Sequence, residues 1–230
     1  MKRKIITTSD GSKTIHIEEW NEQYHSIHGA INEANQVFIK EGLLYYYNIN
    51  QSSKNPISIL EIGFGTGLNA FITLIEAQKL QLKINYTGVE AYPVSILEID
   101  ELNYTELISI NHQQEFTDLH SLPWNVSHNV TSTFQLEKQQ KFFDKITDKN
   151  KFNIIYFDAF GARVQPELWT EAIFKQMFDA LILNGILVTY SAKGSVRRAM
   201  QAVGFTVERL PGPPGKREML RAQKSALNIR

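Results

Sequence analysis

Residues 61–69 read Glu61-Ile62-Gly63-Phe64-Gly65-Thr66-Gly67-Leu68-Asn69, and no other stretch constrains the fold as much. The apolar run Ile57-Ser58-Ile59-Leu60 leads into it, and a segment with helical spacing follows. A buried strand therefore turns through three alternate glycines into a helix. Glycines let the backbone approach a ligand closely, and a helix start offers free N–H groups. The spacing differs from the G-x-G-x-x-G of dinucleotide sites, and the stretch lacks the Lys of a Walker loop.

The same alternation continues along the chain. Apolar runs predict strands at 57–62, 84–90, 130–136, 152–158 and 186–191. Helical spacing covers 66–80, 93–104, 167–181 and 194–203. Residues 205–210 and 219–223 read as a last antiparallel pair. Strands alternating with helices give a mostly parallel sheet. The run Asn153-Ile154-Ile155-Tyr156-Phe157 implies cover on both faces. Ahead of this, 7–17 reads as a hairpin around Asp10-Gly11, and 22–47 reads as a helix. A polar loop at 51–56 divides a cap segment, 1–50, from the main domain, 51–230. The stretch 106–127 carries no legible pattern.

Composition removes several classes of function. With no cysteine, disulfides, thiol nucleophiles and Cys-ligated metals are impossible. The six histidines show no metal-ligand spacing, so no metal is expected. No apolar run reaches the roughly 18 residues of a membrane span. The basic start has no apolar stretch behind it and does not read as a signal peptide. A cytoplasmic protein is expected. The 24 basic and 24 acidic residues cancel, but unevenly. From Lys193 onward nine bases face two acids, a balance of +7, and the first 192 residues carry −7. That basic end is either a solvated face or an electrostatic footprint for a polyanion.

Ligands of such sheets bind at the carboxyl ends of the strands, so the residues just past each strand carry the chemistry. Glu90 ends the second strand, 23 residues beyond Gly67, where an acid can accept both hydroxyls of a ribose. A helix-capping role is its plainer alternative. Glu61 and the G-x-G-x-G spacing favour S-adenosylmethionine (SAM) over a dinucleotide, because SAM has an amino acid tail and no pyrophosphate. The expected fold is a Rossmann-like class I SAM methyltransferase. Its sheet would be mostly parallel and seven-stranded with an antiparallel C-terminal strand, plus an N-terminal hairpin and a helical cap. Asp158 in Phe157-Asp158-Ala159-Phe160-Gly161 would orient an amine or take its proton, or else cap the strand. Methyl transfer gains most from proximity and alignment. The loop Pro211-Gly212-Pro213-Pro214-Gly215-Lys216-Arg217 presents two cations suited to phosphate, or to solvent. Tyr45-Tyr46-Tyr47 reads as packing.

The combination resembles the methyltransferases that finish 5-methylaminomethyl-2-thiouridine at the tRNA wobble position. The resemblance rests on Thr8-Ser9-Asp10-Gly11-Ser12, Tyr24-His25-Ser26, Gly29-Ala30, Glu33, Glu61 to Asn69, Asp158-Ala159-Phe160, Pro166-Glu167-Leu168-Trp169 and Gly215-Lys216-Arg217-Glu218-Met219. It implies methyl transfer from SAM to the exocyclic amine of 5-aminomethyl-(2-thio)uridine. Glu61, Gly63, Gly65, Gly67, Asn69 and Glu90 would hold SAM. Asp158 would face the methyl group and the amine. Tyr24, Ser26, Gly29 and Glu33 would close the pocket, and Phe160 with Trp169 would wall the base. Lys216 and Arg217 would meet the tRNA anticodon loop, and other enzymes would first install the aminomethyl group. Three departures accompany the resemblance. No fused flavin oxidoreductase follows, so a stand-alone form is expected. His25 replaces an aromatic residue. The Gly-Asp pair after strand three is missing, and Glu137 or Gln139 would stand in for it at the adenine. The alternatives are an enzyme acting on a small amine such as a polyamine, and a non-catalytic nucleotide-binding module. A polyamine site would want several carboxylates, and the sequence offers Asp158 alone at this strand end.

Overall fold

Successive side chains of the central strands point to opposite faces of the sheet, and both sets are buried under helices. The structure, a computed structural model, describes residues 2–51 and 55–226. The chain opens with β1 (Arg3–Thr7), β2 (Lys13–Ile17) and β3 (Glu22–Gln23), which form a small antiparallel sheet in that order. A continuous helical segment follows over 30–49. It consists of α1 (Ala30–Ala34), a π-helical stretch (Asn35–Leu44) and α2 (Tyr45–Ile49). The main sheet is assembled from β4 (Ile57–Ile62), β5 (Ile84–Glu90), β6 (Ser127–Asn129), β7 (Phe134–Gln140), β8 (Phe152–Phe157), β9 (Leu181–Thr189), β10 (Thr206–Pro211) and β11 (Glu218–Gln223). Between them lie α3 (Leu68–Lys79), α4 (Ile96–Asp100), α5 (Tyr104–Ile108), α6 (Gln113–Ser121), α7 (Glu171–Ala180) and α8 (Gly194–Ala202).

The strand order is β10-β11-β9-β8-β4-β5-β7-β6. The five central strands are parallel, and β6, β10 and β11 pair antiparallel. From β4 the chain winds outward through β5 and β7, then returns to β8 on the other side and winds through β9. The order therefore switches between β4 and β8, which is where a sheet of this kind opens a crevice.

Ile59, Tyr86, Leu136, Tyr156 and Val188 face one side, and the helical segment 30–49, α3 and α6 cover them. Leu60, Val89, Ile155, Phe157 and Leu187 face the other side under α7 and α8. Val37, Phe38 and Leu43 of the cap segment are at most 1% exposed and belong to the first of these cores. Each contributes about 2 kcal/mol by leaving water. The cap helix is thus a structural layer of the main domain.

Four elements depart from their sequence expectation. The sheet gains an eighth strand, β6, a short polar edge that lacks an apolar pattern. The third parallel strand starts at Phe134, four residues later than expected. The β-branched stretch before it forms a turn, in which the Thr131 hydroxyl accepts from the N–H groups of Thr133 and Phe134. The expected helix 93–104 breaks into α4 and α5. Ser95 and Glu98 cap α4 reciprocally. Asn103 is bound to the N-terminal hairpin, accepting from the Lys13 N–H and donating to the Gly11 carbonyl. The helix expected from 22 begins only at Ala30, because the Tyr24 N–H bonds to the Ile15 carbonyl and extends the small sheet. The stretch without legible pattern holds the end of α5 and all of α6, which buries Phe116 and Leu119. Of the polar loop at 51–56, residues 52–54 lie outside the described residues.

Candidate active site

The crevice between β4 and β8 is roofed by the N-terminal segment and by the loop joining β10 to β11. It encloses a cavity of about 1080 Å³. Its floor is the glycine loop after β4. Gly63 has φ +88, and a Cβ there would lie 2.8 Å from the Asp158 backbone oxygen. Only glycine fits that crossing without strain. A Cβ on Gly65 would press on the Tyr24 ring at 3.1 Å, so the loop and the roof touch here. Gly63 and Gly65 line the cavity, whereas Gly67 is shut off by the His120 ring on its other side.

Asp158 follows β8 directly. Its N–H bonds to the Ile62 carbonyl, fixing it beside the glycine loop. Asn69, on the first turn of α3, donates to Asp158 at 2.8 Å and to Glu61 at 2.9 Å through one amide nitrogen. One carboxamide therefore ties together two acids that would otherwise repel. Burial lifts the Asp158 carboxyl to about 7. Glu33's negative charge adds to the shift, and Asn69 and Lys216 oppose it. Glu61 is fully buried and its carboxyl is pushed well up by burial. Its second oxygen and the adjacent Tyr86 hydroxyl lie buried without a hydrogen bond of ordinary geometry.

Glu90 lines the cavity from the end of β5. Its two oxygens accept from the N–H groups of Gly65 and Tyr92. Burial raises its carboxyl, and those backbone donors hold it down. Each oxygen keeps a free lone pair for a ligand hydroxyl.

The roof carries the remaining groups. Tyr24 meets Phe160 edge-on at 5.0 Å, and Phe160 in turn meets Trp20 at 5.4 Å. Burial raises the Tyr24 phenol to about 12. The Ser26 hydroxyl accepts from the His28 N–H. His25 contacts the Thr66 hydroxyl at 2.6 Å, and burial lowers its imidazole to about 4, so at neutral pH it is uncharged. Glu33, 6% exposed, pairs with Lys216 at 2.5 Å. The Lys216 ammonium also lies 3.8 Å from the centre of the Tyr190 ring. Residues 183 positions apart thus close the cavity over Asp158.

Of the residues singled out from sequence, Tyr24, Ser26, Glu33, Gly63, Gly65, Glu90, Asp158, Phe160 and Lys216 line the cavity together. Glu61, Gly67 and Asn69 stand behind the floor, outside the lining. Lys216 needs correction, and Arg217 and Glu137 lie apart from the cavity. Lys216 points inward to Glu33 rather than outward to a polyanion, because Glu33 is buried and requires a counter-charge. Arg217 is exposed and outside the cavity lining. Glu137 also lies outside the lining and accepts from Gln139. The strand runs four residues further than its apolar pattern, so Glu137 falls within it. The residues past the true end are Phe142, Phe143 and Asp144, which do line the cavity. Trp169 is 6% exposed, packs in the second core and donates to the Phe160 carbonyl. It supports the wall from behind. Tyr190, which donates to the Ala159 carbonyl, was missed although it sits just past a strand end.

The exposed rings of Tyr92 and Phe142 meet edge-on at 5.9 Å at the cavity rim, next to Glu90. Two exposed rings beside an acid with free lone pairs, followed by a glycine floor, fit a nucleoside joined to an amino acid tail. Six carboxylates line the cavity: Glu22, Glu33, Glu90, Asp144, Asp158 and Glu167. The sequence view of Asp158 as a lone acid is therefore corrected. Glu22 and Glu33 are neutralised by Arg163 and Lys216. Among the described residues no group of three His, Asp or Glu is arranged to hold a metal ion. Nor is any described helix long and apolar enough to cross a membrane.

Comparison with known proteins agrees with this geometry. Residues 121–225 match a family described as S-adenosyl-L-methionine-dependent methyltransferases. The tRNA 5-methylaminomethyl-2-thiouridine biosynthesis bifunctional protein MnmC of Leptospira borgpetersenii is 29% identical over 220 residues, covering 90% of this chain and 33% of that protein. The protein of the same description from Actinobacillus pleuropneumoniae is 24% identical, with 90% and 33% covered. The chain spans about a third of the length of these curated relatives. Among solved structures, MnmC2 from Aquifex aeolicus superposes with a TM-score of 0.72 at 22% identity, covering 98% of this chain and 71% of that one. Spermidine synthase from Thermotoga maritima gives 0.61 at 13% identity, with 98% and 70% covered. The chain has the fold of class I S-adenosyl-L-methionine-dependent methyltransferases, matches that family over residues 121–225, and is similar over nine-tenths of its length to the MnmC proteins of tRNA 5-methylaminomethyl-2-thiouridine biosynthesis.

Proposed function

We propose that the chain methylates the exocyclic amine of 5-aminomethyl-(2-thio)uridine at the tRNA wobble position, giving 5-methylaminomethyl-(2-thio)uridine. One observation carries this reading. Asp158, raised to about 7, stands at the floor of a cavity large enough for a cofactor and a base, in a chain similar to MnmC over 90% of its length. A reaction that installs the aminomethyl group must precede it, and a cytoplasmic setting fits such a substrate.

Gly63 and Gly65 would receive the cofactor's amino acid tail and Glu90 its ribose hydroxyls. Tyr92, Phe142 and Asp144 would flank its adenine. When bound, SAM supplies a methyl group on a sulfonium. The incoming amine arrives as an ammonium and must lose one proton before it can attack. Asp158 accepts that proton, because a carboxylate with a pKa near the working pH exchanges protons readily. The amine lone pair, freed of its proton beside Asp158, would then be placed to take the methyl group that SAM would supply, leaving the sulfur with the bonding pair. Asn69 fixes the Asp158 carboxylate. Phe160, Tyr24 and Trp20 wall the space beside it against water. A wobble base is single-stranded and can be splayed into such a pocket.

The test is methylation in vitro. The protein is incubated with methyl-labelled SAM and tRNA from cells lacking the final modification, and the nucleosides are separated. Label in 5-methylaminomethyl-uridine species is the expected result, and its absence would falsify the reading. The six cavity carboxylates favour one competitor, transfer to a small cationic amine. Label on added polyamines in place of tRNA would favour that second reading.

A further inference from the structure

The basic C-terminal stretch divides sharply in the fold. Four of its eight described cations are engaged internally. Arg209 pairs with Glu218, Lys216 with Glu33, and Arg221 with Glu41 and Glu208. Lys224 donates to Asn150 and to the Leu181 carbonyl. The other four, Lys193, Arg197, Arg198 and Arg217, have no side-chain hydrogen bond or ion pair among the described residues.

Three of those four are grouped at one place. Lys193 precedes α8, which starts just past the carboxyl end of β9. Tyr190, Ser191 and Lys193 line the cavity there. Arg197 lies one helical turn beyond Lys193, and its N–H bonds to the Lys193 carbonyl at 3.0 Å. The Arg198 guanidinium folds back over the start of the helix, so that a Cβ on Gly194 would lie 3.2 Å from one of its nitrogens. The Arg197 Nε is buried without an acceptor. Two guanidinium forks and an ammonium with no acid among them match phosphate oxygens.

We infer that Lys193, Arg197 and Arg198 form the docking surface for the RNA sugar–phosphate backbone next to the base that enters the cavity. This rests on the proposed tRNA substrate and moves its electrostatic footprint away from Lys216. Lys216 is held by Glu33 and Tyr190, so it has little charge to offer a phosphate. The cavity itself is rich in carboxylates, which would repel a polyanion. Among the described Lys and Arg residues that line the cavity, only Lys193, at the start of α8, has no ion pair, so backbone and base divide between two surfaces of opposite sign.

The test compares two triple variants of equal charge loss. One is Lys193→Gln with Arg197→Gln and Arg198→Gln. The other removes ion-paired surface cations, as Lys79→Gln with Lys175→Gln and Arg209→Gln. Binding of unmodified tRNA is measured across a salt series, with SAM affinity and Tm followed in parallel. Losing three phosphate contacts should reduce the slope of log K against log salt by about 2, at roughly 0.7 per contact on single-stranded RNA. The rim variant should show that loss and bind tRNA at least about tenfold more weakly, with SAM affinity unchanged. The paired-cation variant should keep the slope of the unaltered protein. An unaltered slope in the rim variant, or an equal loss in the other, overturns the inference while the unaltered protein still methylates tRNA. Competition by poly-glutamate as strong as by tRNA also overturns it, in favour of an acidic protein partner. Failure of the unaltered protein to bind tRNA defeats both this inference and the proposed function.

Discussion

The floor and the roof of the cavity are built in opposite ways. The floor comes from strand ends of one parallel sheet, where Gly63, Glu90 and Asp158 are placed by the register of β4, β5 and β8. The roof joins Tyr24 to Glu33 near the start of the chain with Lys216 near its end. The backbone ladder sets the floor, and a single ion pair with a cation–π contact ties the roof. Floor positions should therefore be intolerant of change and roof positions adjustable. The roof should tune the chemistry that the floor performs.

The largest expected effect is on the floor. Asp158→Ala should lower kcat by about 10²–10⁴ while SAM affinity stays within a few-fold. A kcat unchanged by this substitution would show that water alone takes the proton. Gly63→Ala should destabilise the fold by about 1–3 kcal/mol, from its positive φ and the 2.8 Å approach to Asp158. Urea unfolding reads this directly, and an unchanged midpoint would mean that the loop relaxes freely.

Roof variants should act through pH. Glu33 raises the Asp158 carboxyl and Lys216 lowers it. Glu33→Gln should therefore move the rising limb of the kcat–pH profile to lower pH. Lys216→Met should move it to higher pH. Each shift should be about 0.5–1 unit. Shifts of the same sign would break the claim that the two charges act on Asp158 separately.

A stability measurement checks the same group. Because the folded Asp158 pKa is raised to about 7 from an ordinary 3.8, the fold gains from its protonated form. That gain is complete below the unfolded pKa and disappears as pH rises through 7. Asp158→Asn should thus raise Tm at pH 8 by several °C relative to the unaltered protein, and much less at pH 4. Equal Tm changes at both pH values would contradict the raised carboxyl. The smallest effect separates two acids near strand three. Asp144→Ala should weaken SAM by about tenfold, whereas Glu137→Ala should leave it within about twofold, as calorimetry would show.

Much of the floor was legible because strand, turn and helix are adjacent in sequence. Gly63, Gly65, Glu90 and Asp158 all lie just past an apolar run, and the rule about strand ends finds them. The same rule led to Glu137 only because Thr131 turns a β-branched stretch into a bend. The strand then ends at Gln140, with Phe142 and Asp144 just past it. The helix break at Asn103 and the late helix start at Ala30 arise from contacts with the N-terminal hairpin. Neither leaves a local pattern.

The sequence by itself determined the parallel sheet, its glycine turn and the acids at its strand ends. Those features depend on hydrophobic period and backbone freedom, which are local properties. Only the tertiary structure decided which charges are spent. In sequence, Lys193, Lys216, Arg217 and Arg221 are equivalent members of a basic end. In the fold, Lys216 and Arg221 neutralise buried or half-buried acids, and Lys193 and Arg217 do not. A charge's role depends on what lies within a few ångströms of it, and residues as distant as Glu33 and Lys216 become neighbours only when the chain folds.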